Sequence, residues 1–147
     1  MPQAANTVEN LREWLRTCPI VNDMQRFGVD YLGSDPTEYT VYTTPSPLNT
    51  FMDVLGNVAY RDQQTLNFIF ASRDSYGSDT LQNLANLGFF DDVMAWIYEQ
   101  NKTKNFPEIR EGIVLSIMPT LTQYLFQAGA DSGRYQIQCK IIYRRIN

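Results

Sequence analysis

At 147 residues, with 44% hydrophobic, 13% aromatic and 19% charged side chains, the chain has the length of one domain, 1–147, and a composition that excludes disorder and can bury roughly 70% of its unfolded surface. A formal net charge of −4 speaks against a dedicated nucleic-acid binder, whose footprint is strongly basic. There is no histidine, which removes the commonest general base and metal ligand and every Ser/His or Cys/His pair.

The opening MPQAANTVEN carries neither the basic residues nor the apolar run of a signal peptide, and nowhere do about 18 apolar residues follow one another as a membrane span requires. A soluble protein made in the cytoplasm is expected. Asn6 with Glu9 reads as a capping pair, and Val8, Leu11, Leu15 and Cys18 share one helical face until Pro19, with Trp14 bordering it as a packing residue. Phe27, Val29 and Tyr31 alternate and can begin a strand, Gly33 to Pro36 is a turn, and Thr37 to Thr44 is a β-branched and aromatic strand ended by Pro45-Ser46-Pro47. Phe51 to Val54 is a short apolar piece, Gly56-Asn57 a turn, and Val58 to Ser72 the next extended region. Its Leu66, Phe68 and Phe70 on one face and Ile69 and Ala71 on the other predict a central strand. Arg73 to Gly77 reads as a loop and Ser78 or Asp79 as a helix cap. Two short helices are then expected to meet at Gly88, the second carrying Phe90, Val93, Met94 and Ile97 as far as Asn105-Phe106-Pro107.

From Gly112 to Asn147 the pattern is two long strands closed by the Gly129–Gly133 loop. Tyr135, Ile137, Cys139, Ile141 and Tyr143 alternate with polar residues, broken only by Ile142. Ile113, Leu115, Ile117, Leu121 and Leu125 keep one parity through Pro119. Ile113 to Gln127 is 15 residues, against a usual strand of about 5 or 6. Either Pro119 marks a bulge or edge, which is the favoured reading, or the hairpin projects beyond the body. The order of elements is α+β: a mainly antiparallel sheet, helices packed on one face, and a long C-terminal hairpin.

Chemistry is thinly encoded. Cys18 and Cys139 lie far apart on apolar faces and read as buried free thiols of a reducing compartment. Asp91, Asp92 and Asp79 are the best acidic group, but helix neighbours diverge by about 100°, so capping is their reading. Arg73 either holds an anion or pairs with Asp74 or Asp79, and Ser75, Tyr76 and Asp79 around it mark where a ligand pocket would lie. Tyr39, Tyr42, Tyr124, Tyr135 and Tyr143 read as sheet packing. No CxxC and no glycine-rich phosphate loop occurs, so no catalytic residue, metal ligand or cofactor is expected. Arg134, Lys140, Arg144 and Arg145 crowd the last strand, as a solvated face or protein contact, or else as a passing contact to DNA.

Several strings carry a resemblance: Asn67-Phe68-Ile69-Phe70-Ala71-Ser72-Arg73, Asn83 to Phe90 with Trp96-Ile97, Phe106-Pro107-Glu108-Ile109, and Arg134 to Cys139. Over Asn49 to Arg145 the chain resembles small minor capsid and tail proteins of tailed phages and prophages of Gram-positive bacteria, and within them it is most similar to tail terminators. The resemblance implies a non-enzymatic virion protein of the tail or neck, made in the host cytoplasm. Its copies would form a ring, a hexamer, that caps the tail tube and joins it to head-to-tail connector proteins. A tail-tube or connector subunit is the alternative, and a small-ligand binder or enzyme the third reading. Chloramphenicol acetyltransferase chemistry would need a histidine base. Pro119, Tyr124, Arg134, Lys140, Arg144 and Arg145 are the expected assembly or partner contacts.

Overall fold

A computed structural model describes residues 7–21, 27–30, 32, 38–77, 79–110, 112–129 and 132–146. Asn6, Tyr31, Ser78 and the expected turn at Gly33 to Pro36 lie outside the described residues. The chain is α+β. Its elements run α1 (Thr7–Arg16), β1 (Phe27–Val29), β2 (Glu38–Thr44), β3 (Thr50–Met52), β4 (Val58–Tyr60), β5 (Gln63–Ser75), α2 (Thr80–Thr103), β6 (Gly112–Ala128) and β7 (Ser132–Arg145).

Five strands form a sheet in the order β1-β2-β5-β7-β6, antiparallel throughout except for the parallel β1–β2 pair. The side-chain period of two sorts each strand. In register, Val41, Phe70 and Ile137 form one row, and Phe68 and Cys139 the next. These side chains are buried against Leu11, Trp14 and Leu15 of α1 and Phe90, Val93 and Ile97 of α2. Both helices therefore cover the same face. Leu11 and Leu15 are four residues apart and Phe90, Val93 and Ile97 are three and four apart, so each helix turns one stripe inward. Trp14 does bridge the helices: its ring centroid lies 4.7 Å from that of Trp96, and its indole N–H donates to the Asn105 carbonyl at 2.9 Å.

The expected break at Gly88 does not occur. Asp79 caps α2, its carboxylate accepting from the backbone N–H groups of Leu81 and Gln82, and the helix then runs unbroken for 24 residues to a left-handed Lys104. A mid-helix glycine costs only about 1 kcal/mol, and the packing of Leu87 before it and of Phe89 and Phe90 after it outweighs that. A Cβ at Gly88 would meet nothing within 4 Å, so Gly88→Ala is expected to stabilise the protein by about 0.5–1 kcal/mol. Urea unfolding checks this, and a loss of stability would contradict it.

The region expected as one strand from Val58 to Ser72 divides. Val58–Tyr60 pairs only with β3, while Gln63 begins the central strand, which runs through Arg73 and Asp74 to Ser75 instead of yielding to a loop. Thirteen consecutive pairings with β7 hold that extension in the sheet. β5 lies between β2 and β7, the central place its two apolar faces predict.

The alternation of β7 holds, with Tyr135, Ile137, Cys139, Ile141 and Tyr143 all buried. That of β6 does not. Register shifts occur between Val114 and Ser116, Pro119 and Leu121, Leu121 and Tyr124, and Leu125 and Gln127, and each extra residue flips the face that follows. Ile117 is consequently buried while Ile113, Leu115 and Leu121 are exposed. Pro119 stands next to one of these bulges on the edge strand, where a missing N–H is tolerated. The terminal hairpin is no projecting arm, because β5 flanks β7 from Ser132 to Arg144.

Candidate assembly surfaces

The six expected contact residues do not form one patch. Arg134 and Arg144 pair near opposite ends of β5, with Arg73 and Gln63 respectively, roughly 30 Å apart at a strand's rise per residue. The expected crowding of basic residues is thus a line along β7. Arg145 stands at the Arg144 end, its guanidinium 3.9 Å from the Tyr60 ring centroid.

Tyr124 and Arg134 are linked through Gln136, on the face that α1 and α2 leave uncovered. The Arg134 guanidinium sits between the Tyr42 and Phe126 rings at 4.5 and 4.4 Å, and its Nε donates to Gln136 Oε1 at 2.9 Å. Gln136 Nε2 donates to the Tyr124 hydroxyl at 2.6 Å, and Gln138 Nε2 to the same oxygen at 3.1 Å. This clasp explains how Gln136 is buried on a face without helices. Lys140 lies further along that face, opposite Asn67 and Met118. Pro119 faces the other way, towards α2.

The acidic candidates have local roles. Asp79 is the cap of α2, and Asp91 accepts a hydrogen bond from Gln123 Nε2 at 2.6 Å. Arg73 Nη1 reaches Ser132 Oγ at 3.5 Å, and its in-register neighbours are Glu38 and Arg134. Among the described residues no group of three or more Cys, Asp or Glu side chains converges as a metal site would require, and no described helix is long and apolar enough to cross a membrane. Cys18 and Cys139 are buried free thiols, and burial pushes both thiol pKa values up. They sit far from the reactive thiolate regime.

Burial also raises the Asp74 carboxyl, against a 2.6 Å hydrogen bond donated by Ser72 Oγ that pulls it down. The folded state holds this proton more tightly than the unfolded chain. The stability so gained is complete below the unfolded value of about 4 and is lost as pH rises through the raised folded value. Asp74→Asn keeps an acceptor for Ser72 without the charge. It is expected to match wild type near pH 3.5 and to exceed it modestly at pH 7 in urea titrations, and a less stable variant at pH 7 would contradict this assignment.

Two surfaces were not foreseen. The first is the β3–β4 hairpin, which forms a two-stranded sheet of its own outside the main sheet and meets β7 through the Arg145 guanidinium on the Tyr60 ring. Its base is tied down: Gln64 Nε2 donates to the Asn49 and Arg61 carbonyls at 2.7 Å each, its Oε1 accepts from Asn49 N at 2.9 Å, and the Arg61 guanidinium lies 5.0 Å from the Phe51 ring. Its tip is a fixed turn in which Asp53 Oδ1 accepts from the backbone N–H of Leu55 and of Asn57 at 2.9 Å and Gly56 takes φ 85°. Around this scaffold Leu48, Phe51, Met52, Val54, Leu55, Val58 and Tyr60 are all exposed, Val54 at 101% and Leu55 at 82%. Hydrophobicity alone reads such residues as core. The available signal was the Gly56-Asn57 turn, which closes two strands of three residues each into a hairpin of their own.

The second is a groove of ≈ 540 Å³ between α2 and the outer edge of β6, lined by Met94, Ile97, Tyr98, Asn101, Ile117, Met118 and Pro119. Asn101 shapes it. Its side chain donates to the Ile117 carbonyl at 2.6 Å and accepts from the Ile117 N–H at 3.0 Å, standing in for the strand that β6 lacks on that side.

Neither a scan of protein-family models nor a search of curated proteins returns a match for this chain.

Proposed function

We propose that this chain is a non-enzymatic structural subunit of a phage or prophage particle, a tail terminator whose copies close into a ring on the finished tail tube and present a surface to the head-to-tail connector. The observation that carries the reading is the β3–β4 arm: a tied base, a fixed turn and a tip of exposed apolar side chains, Val54 and Leu55, against which no described residue packs. Exposed apolar surface of this kind marks a contact site on a folded protein. The sequence resemblance supplies the particle, and the arm supplies a means of joining it. The helix-free face around Tyr124 and Arg134 adds a flat, aromatic and hydrogen-bonded surface suited to a tube or connector neighbour.

The test is polymerisation of cognate tail-tube protein with and without this chain. A terminator shortens and narrows the tube-length distribution and appears at one tube end in negative-stain images. Incorporation along the tube, with filaments of the chain alone, would instead make it a tube subunit. Unchanged tube lengths with no bound protein would refute both.

A further inference from the structure

We propose that Asn101 is a guard residue: its side-chain amide, together with Pro119, closes the outer edge of β6 to strand addition and so keeps copies of this chain from pairing edge to edge. The inference concerns the chain alone and does not rest on the terminator reading.

The strand itself creates the need. β6 lies at the edge of the main sheet with β7 on one side only, and none of its 17 residues carries a charge. Ile113, Leu115, Met118, Leu121 and Phe126 along it are exposed. The stretch from Ile113 to Met118 is uncharged, aliphatic and free of proline, the composition that adds to another strand through unpaired N–H and C=O groups. Edge strands are commonly defended by a charge, above all a lysine, and this one has none.

The defence comes from the helix. Asn101 Nδ2 donates to the Ile117 carbonyl at 2.6 Å and Oδ1 accepts from the Ile117 N–H at 3.0 Å, so one amide takes both groups that an added strand would use there. Both groups therefore point away from β7. Pro119, two residues on, shares that orientation and has no N–H to offer, which leaves its carbonyl as the one open group on the outer edge from Ile117 to Pro119. The amide is held in place, because its other N–H donates to the Ile97 carbonyl one turn back on α2 at 2.9 Å. A second tie keeps the helix along the strand: Gln123 Nε2 donates to the Leu87 carbonyl at 3.0 Å and to Asp91 Oδ1 at 2.6 Å. Helix formation does not explain the choice of residue at 101, since leucine forms helix better than asparagine.

Asn101→Leu keeps the size of the side chain and removes the amide. Near physiological temperature this variant should form thioflavin-positive, open-ended aggregates about ten-fold faster than wild type. Adding Leu115→Lys, a charge at an exposed site on the same edge, should return the rate to the wild-type value. Asn101→Asp loses both donated bonds yet sets a charge against the edge, so it should lose stability in urea and still remain dispersed. Amide hydrogen exchange on the wild-type chain reads the guard without any variant: the Ile117 N–H should be protected although it faces outward from an edge strand. Unchanged growth in Asn101→Leu, growth that Leu115→Lys does not reverse, equally fast growth in Asn101→Asp, or an Ile117 amide that exchanges freely in wild type would each overturn the inference. An Asn101→Leu variant that loses stability without aggregating would do so too, and would make Asn101 only a tether between α2 and β6.

Discussion

Phe70→Ala is expected to destabilise the protein by about 3–5 kcal/mol, the usual cost of removing a buried aromatic ring. Phe70 is fully buried on the central strand, in register with Val41 and Ile137. Its ring meets those of Phe27 at 5.6 Å, Phe90 at 5.8 Å, Tyr39 at 5.9 Å and Phe89 at 6.3 Å. The truncation therefore opens a cavity among β1, β2 and α2 at once and removes the ring that joins four others. With roughly 2–4 °C lost per kcal/mol at this chain length, the melting temperature should fall by on the order of 10 °C. Total stabilities run to only about 5–15 kcal/mol, so a sizeable unfolded fraction at 37 °C is the expected phenotype. A loss below about 1 kcal/mol would mean that the ring cluster does not hold the helices to the sheet.

Gly112→Ala should cost about 1–3 kcal/mol or more, through overpacking that the backbone cannot relieve. A Cβ at Gly112 would overlap the Arg144 carbonyl oxygen, lie 2.8 Å from its carbon and 3.0 Å from the Arg145 Cα. All three atoms belong to the backbone of the paired strand, so no side-chain rotation makes room. Relief requires β6 to move off β7 where their pairing begins, beside the point at which Arg145 N donates to the Asp62 carbonyl and steadies the base of the arm. Urea unfolding should show the loss, and it should be opposite in sign to the Gly88→Ala gain. An unaffected midpoint would contradict the close approach of the two strands.

What was legible in the sequence was whatever rests on local periodicity. The alternation from Tyr135 to Tyr143, the stripe of Val8, Leu11, Leu15 and Cys18 with Trp14 at its border, and the double-sided apolar pattern of β5 each follow from which face of one element is buried, and the residues state that directly. The errors arise where tertiary context decides. Gly88 carries a breaker's propensity, yet the packing of Leu87 before it and of Phe89 and Phe90 after it keeps α2 continuous. β6 has a sound apolar alternation in the sequence, yet four register shifts redistribute which side chains face inward. The candidate interaction surface was the least legible part. Arg134 and Tyr124 were expected on chemical grounds and do share a network, whereas the basic residues of β7 string out along the strand. The arm was missed because Phe51, Met52, Val54, Leu55 and Val58 look the same in a sequence whether they fill a core or stand in solvent. Only their separation from the main sheet distinguishes the two.

The arm gives an ordinary α+β fold an exposed apolar tip, and the most direct measure of whether that tip drives assembly is mass in solution. Light scattering of the purified full chain across a concentration series, with negative-stain images of the largest species, should give closed rings of one fixed mass that do not lengthen as concentration rises. A chain that remains monomeric at every concentration and in the presence of cognate tail tubes would contradict the account.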